Sequence, residues 1–173
     1  MSHAGLSALL YTLTLLIFFK QGFIEKTTLI ASVAMVLCFI LLFYLAFKLG
    51  INKRFAEPTL TVPQILASAF TMLVVAYLDR STQIVLGPFM LIAFSFGLFR
   101  LSTAVLLLLS VICLGAYFAM ILLRGRHELY PLSFYADLMQ WLVLMLTLPS
   151  MIAVGSHIRH LRRVLKATRY QLE

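Results

Sequence analysis

The sequence predicts an all-α integral membrane fold: a bundle of six transmembrane helices whose last helix continues into a cytoplasmic coiled-coil stalk. Three observations predict it. The 173 residues are 62% hydrophobic and 12% charged, against roughly 25% charged in ordinary soluble domains, and the mean hydropathy is +1.02. The apolar residues fall into six blocks separated by short polar stretches. In the final stretch, Ile158, Leu161, Leu165, Thr168 and Leu172 recur at spacings of 3, 4, 3 and 4, the a/d stripe of a two-stranded coiled coil.

The first block, about Gly5–Phe19, is closed by Lys20. No Lys or Arg precedes it, so it lacks the basic region of a secretory signal and is expected to be retained. The second, about Thr27–Phe47, ends at Lys48 before Gly50, a helix stop. The third, about Val62–Leu78, opens with Thr61 and Gln64 at capping-box spacing and Pro63 in the first turn. The fourth, about Gln83–Phe99, carries Gly87-Pro88 near its start, and a re-entrant path is its competing topology. The fifth, about Ser102–Leu123, follows after only a few residues (FRLS), which predicts a tight antiparallel hairpin with Arg100 at the surface. The sixth, from about Leu138, runs without a break into the basic segment. The shortest blocks, at 1.5 Å per residue, reach only about 24 Å, so their helices are expected to extend through polar flanks or to sit where the bilayer thins.

The net charge of +8 is distributed between blocks and on the terminal helix. That placement serves orientation and anionic headgroups rather than nucleic acid, which is not an expected partner. With six spans, one side holds Lys48, Lys53, Arg54, Arg100, Arg159, Arg162, Arg163, Lys166 and Arg169, nine cations. The other holds Lys20, Lys26, Arg80, Arg124 and Arg126, five. The excess places both termini in the cytoplasm. Cys38 and Cys113 each lie inside an apolar block and read as small buried hydrophobes.

No Gly-rich phosphate loop, HExxH or Cys/His cluster at metal spacing is present, so no catalytic or metal site is expected. Polar and aromatic residues do crowd the predicted outer surface. Asp79, Arg80, Arg126, His127, Glu128 and Asp137, with Tyr77, Tyr117, Gln140 and Trp141 below them, form the candidate ligand-binding group. An aromatic belt with solvated charges explains the same residues equally well. In the sixth block Pro149 removes a helix hydrogen bond, and Gly155-Ser156 follow. Pro149 and Gly155 are therefore candidate hinge positions, with a packing kink as the alternative. Thr168 within the stripe, and Arg159, Arg162, Arg163, Lys166 and Arg169 around it, would loosen a dimer seam.

The segments RFAEPTLTVPQ (Arg54–Gln64), FGLFRLST (Phe96–Thr103) and QWLVLMLTLP (Gln140–Pro149), followed by an Arg-rich helix, resemble the N-terminal six-helix membrane sensor region of bacterial GGDEF diguanylate cyclases. The resemblance implies a bacterial inner membrane location and a homodimer joined through the terminal helix. It implies that residues 1–157 are a sensor domain and 158–173 the start of a signalling coiled coil. The output domain, absent from this chain, would make cyclic di-GMP from two GTP. Mg2+ and GTP are expected only for that domain, since no cyclase motif occurs here and the chain holds no catalytic residue. The expected partners are membrane lipids, a second copy, and an amphipathic small molecule or a periplasmic ligand. Two alternatives stay open: the sensor region of a membrane histidine kinase, and a small transporter or lipid-binding membrane protein.

Overall fold

The computed structural model describes residues 2–50, 60–125 and 131–172, with side chains described for 7–50, 60–125, 134–159, 161, 164 and 165. Six α-helices and one 3-10 turn make up the described chain: α1 (Ser2–Lys20), α2 (Lys26–Lys48), α3 (Thr61–Leu78), a 3-10 turn (Arg80–Thr82), α4 (Gln83–Leu98), α5 (Thr103–Gly125) and α6 (Pro131–Leu172). No strand occurs among the described residues.

The ends of these helices follow from local chemistry. α1 stops in a Schellman motif: Gly22 takes φ +75°, its N–H donates to the Phe19 carbonyl at 3.0 Å, and the Phe23 N–H reaches Phe18 at 2.9 Å. The Phe18 and Phe23 rings then meet edge to face at 5.9 Å, the apolar contact that accompanies this cap. Gly50 closes α2 as its sequence position predicts, with φ +69° and its N–H on the Phe47 carbonyl. The start of α3 departs from expectation. Leu60, in a left-handed conformation at φ 53°, is its N-cap, and Thr61 is already helical and buried. The cap therefore falls one residue before the expected Thr61, on a buried Leu60.

α4 is a continuous helix with Pro88 in its interior. The hairpin to α5 is as short as predicted. The Arg100 and Leu101 N–H groups both donate to the Gly97 carbonyl, and the Ser102 hydroxyl accepts from the Val105 N–H at 3.3 Å. Arg100 is exposed.

Five of the helical segments are long and apolar enough to cross a membrane; the described apolar part of α1, Ser7–Lys20, is shorter. α2 and α5 extend into their polar flanks and reach 23 residues each, about 35 Å at 1.5 Å per residue. The packing is also what a lipid environment asks for. Leu37, Leu41, Leu108, Val111, Val143 and Leu146 all lie outward and exposed. Ser32, Thr71 and Ser110 are buried, each satisfied by a carbonyl three or four residues back on its own helix. Cys113 is buried as expected, but Cys38 lies on the outward face of α2. Only Thr28 and Ser32 of α2 are buried, small residues that let it lie close to its neighbours, while Leu29, Met35 and Val36 pack partly buried against the core.

The core lies among α3, α4, α5 and α6, with α1 packed on α4 and α2 on the flank against α1 and α3. Two glycines permit the closest approaches. A Cβ on Gly97 would stand 2.8 Å from Ile65 and 2.9 Å from Leu106. One on Gly155 would stand 2.7 Å from a Leu98 methyl.

Candidate functional site

The inward face of α6 is a single stripe: Asp137, Trp141, Leu144, Leu148, Ile152, Gly155 and Arg159, at spacings of 4, 3, 4, 4, 3 and 4. Helical residues at such spacings share one face. Leu144, Leu148 and Ile152 are buried in the core. The polar members at either end of the stripe bind the other helices, and they define two polar sites at opposite ends of the bundle.

At one end the α1–α2 loop, the 3-10 turn and the start of α6 converge. Asp79 caps the 3-10 turn, accepting from the Ser81 N–H at 3.1 Å. Its other oxygen faces the Glu25 N–H at 3.4 Å. The Ser81 hydroxyl stands 2.6 Å from the Asp79 carboxylate and 2.7 Å from the Phe23 carbonyl. A hydroxyl has one proton to give, and the charged acceptor is the stronger. Arg80 donates to Asp137 at 2.9 Å in an ion pair whose carboxylate side chain is 8% exposed.

One layer deeper, Gln140 donates to the Gln83 carbonyl at 2.6 Å, and the Gln83 amide donates to the Tyr117 hydroxyl at 2.9 Å. The Trp141 indole N–H donates to the Leu114 carbonyl at 2.9 Å, and its ring lies 5.1 Å from that of Phe118. Arg124 reaches the Ala76 carbonyl at 2.9 Å. The Gln83 side-chain oxygen is buried without a hydrogen-bond partner. Exchanging the amide's oxygen and nitrogen would let Tyr117 donate but would strand the NH2 instead.

Of the residues the sequence groups as ligand-binding, Asp79, Arg80, Asp137, Gln140 and Trp141 come together at this end, each bonded to another element of the bundle. Tyr77 faces outward at 48% exposure. Arg126, His127 and Glu128 lie outside the described residues. Ser81 and Gln83, which tie the cluster together, escape the sequence reading because Ser and Gln carry no charge or periodic signal; their only hint is the DRSTQ run between two apolar blocks.

At the opposite end Arg159 closes the bundle. Its guanidinium donates to the Leu98 carbonyl, to the Leu101 carbonyl at 2.6 Å and to the Thr103 hydroxyl at 2.9 Å. The sequence places Arg159 only among the cations beside the stripe, and these bonds turn its guanidinium onto the end of the bundle. A planar five-donor fork suits the unpaired carbonyls of a helix C-terminus, and α4 ends at Leu98 directly beneath it. α6 is helical without interruption through Pro149 and Gly155. Gly155 has a packing reason to be glycine, since Leu98 occupies the space of a Cβ.

Beyond Arg159 the helix leaves the bundle. Ile158, Leu161 and Leu165 are 42%, 48% and 69% exposed. The side chains of Thr168 and Leu172 lie outside the described residues. Among the described residues no group of His, Cys, Asp or Glu could hold a metal ion. Compared with protein-family models, with curated proteins and with solved structures, the chain matches none.

Proposed function

We propose that the chain is a membrane sensory domain whose sixth helix carries a signal to the cytoplasm. In this reading both termini are cytoplasmic, all six helices span the bilayer, and the end of α6 starts a dimeric coiled coil. The sequence resemblance makes the regulated output a diguanylate cyclase, for which two GTP-loaded active sites must face each other across the dimer. The register and angle of a stalk set that encounter.

The observation that carries the reading is the division of α6. It is a single helix from Pro131 to Leu172, about 63 Å at 1.5 Å per residue. Its first two thirds are bonded into the bundle at both ends, through Asp137, Gln140 and Trp141 and through Arg159. The exposed stripe Ile158, Leu161 and Leu165 lies on a different face, one residue back from the inward stripe, or about 100° around the helix. Traced towards the bundle, that face passes through Val154 and Met151, beside Leu98 and Phe99 of α4. A displacement at the Arg80–Asp137 end would thus turn or tilt a face that the bundle leaves unoccupied. The continuity of the helix from Gly155 to Leu161 supports a stalk over a tail lying flat on the membrane, the alternative.

Single cysteines at Leu161, Leu165 and Arg163, in a background with Cys38 and Cys113 replaced, test the seam by oxidative cross-linking in native membranes. Disulfide dimers are expected from Leu161→Cys and Leu165→Cys and not from Arg163→Cys. Equal yields at all three positions would refute the seam.

A further inference from the structure

A groove of about 160 Å³ lies between α1, α2 and α3, away from the polar cluster and away from α6. Ser7 near the start of α1, Phe47 near the end of α2 and Gln64 in the first turns of α3 line it together. Three successive helices are therefore antiparallel here, and the groove begins at the end of the bundle opposite Asp79. It runs inward to Tyr11 and Met72.

One wall is a ladder of aromatic faces. Phe39, Phe43 and Phe47 recur every four residues along α2, so the ladder rises about 12 Å, and the first two rings stack with centroids 6.5 Å apart. Among the described residues that line it, none is Asp, Glu, Lys, Arg or His. The Gln64 side-chain amide makes no hydrogen bond to any described residue, although the neighbouring Ser68 hydroxyl is satisfied by the Gln64 backbone carbonyl at 2.9 Å. An amide left at the mouth of an apolar slot offers one acceptor and two donors to an occupant. An ionised headgroup would find no counter-charge among the described lining residues.

We infer that the α1–α2–α3 groove binds a single-chain neutral amphiphile. Its alkyl chain lies along the phenylalanine ladder and its hydroxyl or carbonyl headgroup pairs with Gln64. Monoacylglycerols and long-chain alcohols are the chemical class. The inference goes beyond the proposed signalling role and does not depend on it, because occupancy is read directly.

The test uses the full chain in phosphatidylcholine nanodiscs with a monodecanoylglycerol analogue bearing a diazirine on its chain. After photolysis, mass spectrometry maps the label. Labelling is expected on the groove-facing residues of α1–α3 and to be competed by unlabelled monodecanoylglycerol. Ala67→Phe, which fills the slot, should abolish the competed fraction, and Val111→Phe on the outward face of α5 should leave it intact. Gln64→Leu keeps the shape but removes the headgroup partner and should weaken competition by roughly three- to tenfold, the worth of one net hydrogen bond. Circular dichroism and monodispersity confirm that each variant folds.

Label spread equally over the outward faces of α2 and α5 overturns the inference, as does competition by phosphatidylcholine at equal potency, which assigns the groove to bulk lipid. Decanoate competing as well as the glyceride overturns the neutral headgroup. A groove that binds as described beside a seam that fails to cross-link would leave this inference standing and remove the signalling one.

Discussion

Replacing Gly155 and Gly115 by alanine, one at a time, puts the α4–α6 contact to a quantitative test. At Gly155 the new Cβ would lie 2.7 Å and 3.0 Å from the two methyls of Leu98 and 3.2 Å from its Cγ. Because the branch carbon itself is in the way, rotating a methyl cannot relieve the contact. Leu98 is 8% exposed, so its side chain must shift to make room for the new methyl. Overpacking of this kind costs about 1–3 kcal/mol. Alanine recovers about 1 kcal/mol of helix propensity, which leaves Gly155→Ala between neutral and about 2 kcal/mol destabilised.

Gly115, also inside a helix, has nothing within 4 Å of its added Cβ and should show only the propensity gain. Identical chemistry at two sites should thus differ by about 1–3 kcal/mol, or roughly 2–12 °C in Tm at 2–4 °C per kcal/mol. The assay is thermal unfolding in bicelles, read by a thiol-reactive fluorophore on buried Cys113 in a Cys38→Ala background. If Gly155→Ala stabilises as much as Gly115→Ala, α6 does not pass Leu98 this closely and Gly155 is available as a hinge.

Two further substitutions probe the polar ends of α6. Asp137→Asn should destabilise by about 1–3 kcal/mol, less than a fully buried pair because the Arg80 side chain is 32% exposed; a double-mutant cycle with Arg80→Gln should recover most of that as coupling, and additive losses would mean the pair does not hold the two elements together. Arg159→Lys keeps the charge but loses the fork that spans Leu98, Leu101 and Thr103, so hydrogen exchange should quicken at the backbone of residues 99–102 while the centre of α6 is unchanged, and exchange identical to the parent would refute the role given to Arg159.

The apolar helices, their number and their approximate limits were legible in the sequence because each rests on a local signal. A stretch of apolar residues is a helix candidate whatever surrounds it, and Gly50 stops α2 for a reason written in its own backbone. The Schellman cap at Lys20-Gln21-Gly22-Phe23 was equally local and could have been read from its glycine followed by an aromatic. The 3-4 period of Ile158, Leu161 and Leu165 was legible in the sequence, and the structure leaves all three exposed.

Partnership was not legible. Arg159 looks like one more cation in a basic tail, and its position over the carbonyls of α4 is set by the length of the hairpin and the tilt of α6. Gln83 and Gln140 bond across gaps of 34 and 57 residues, and an uncharged polar side chain gives no sign of its mate. The groove at Gln64 needs three helices to exist at all. The sequence by itself determined that the chain is a set of apolar helices with a periodic basic end, since apolar run and period are properties of each segment separately. Only the tertiary structure decided which polar groups meet and which amide is left over, because hydrogen bonds between helices depend on register and distance.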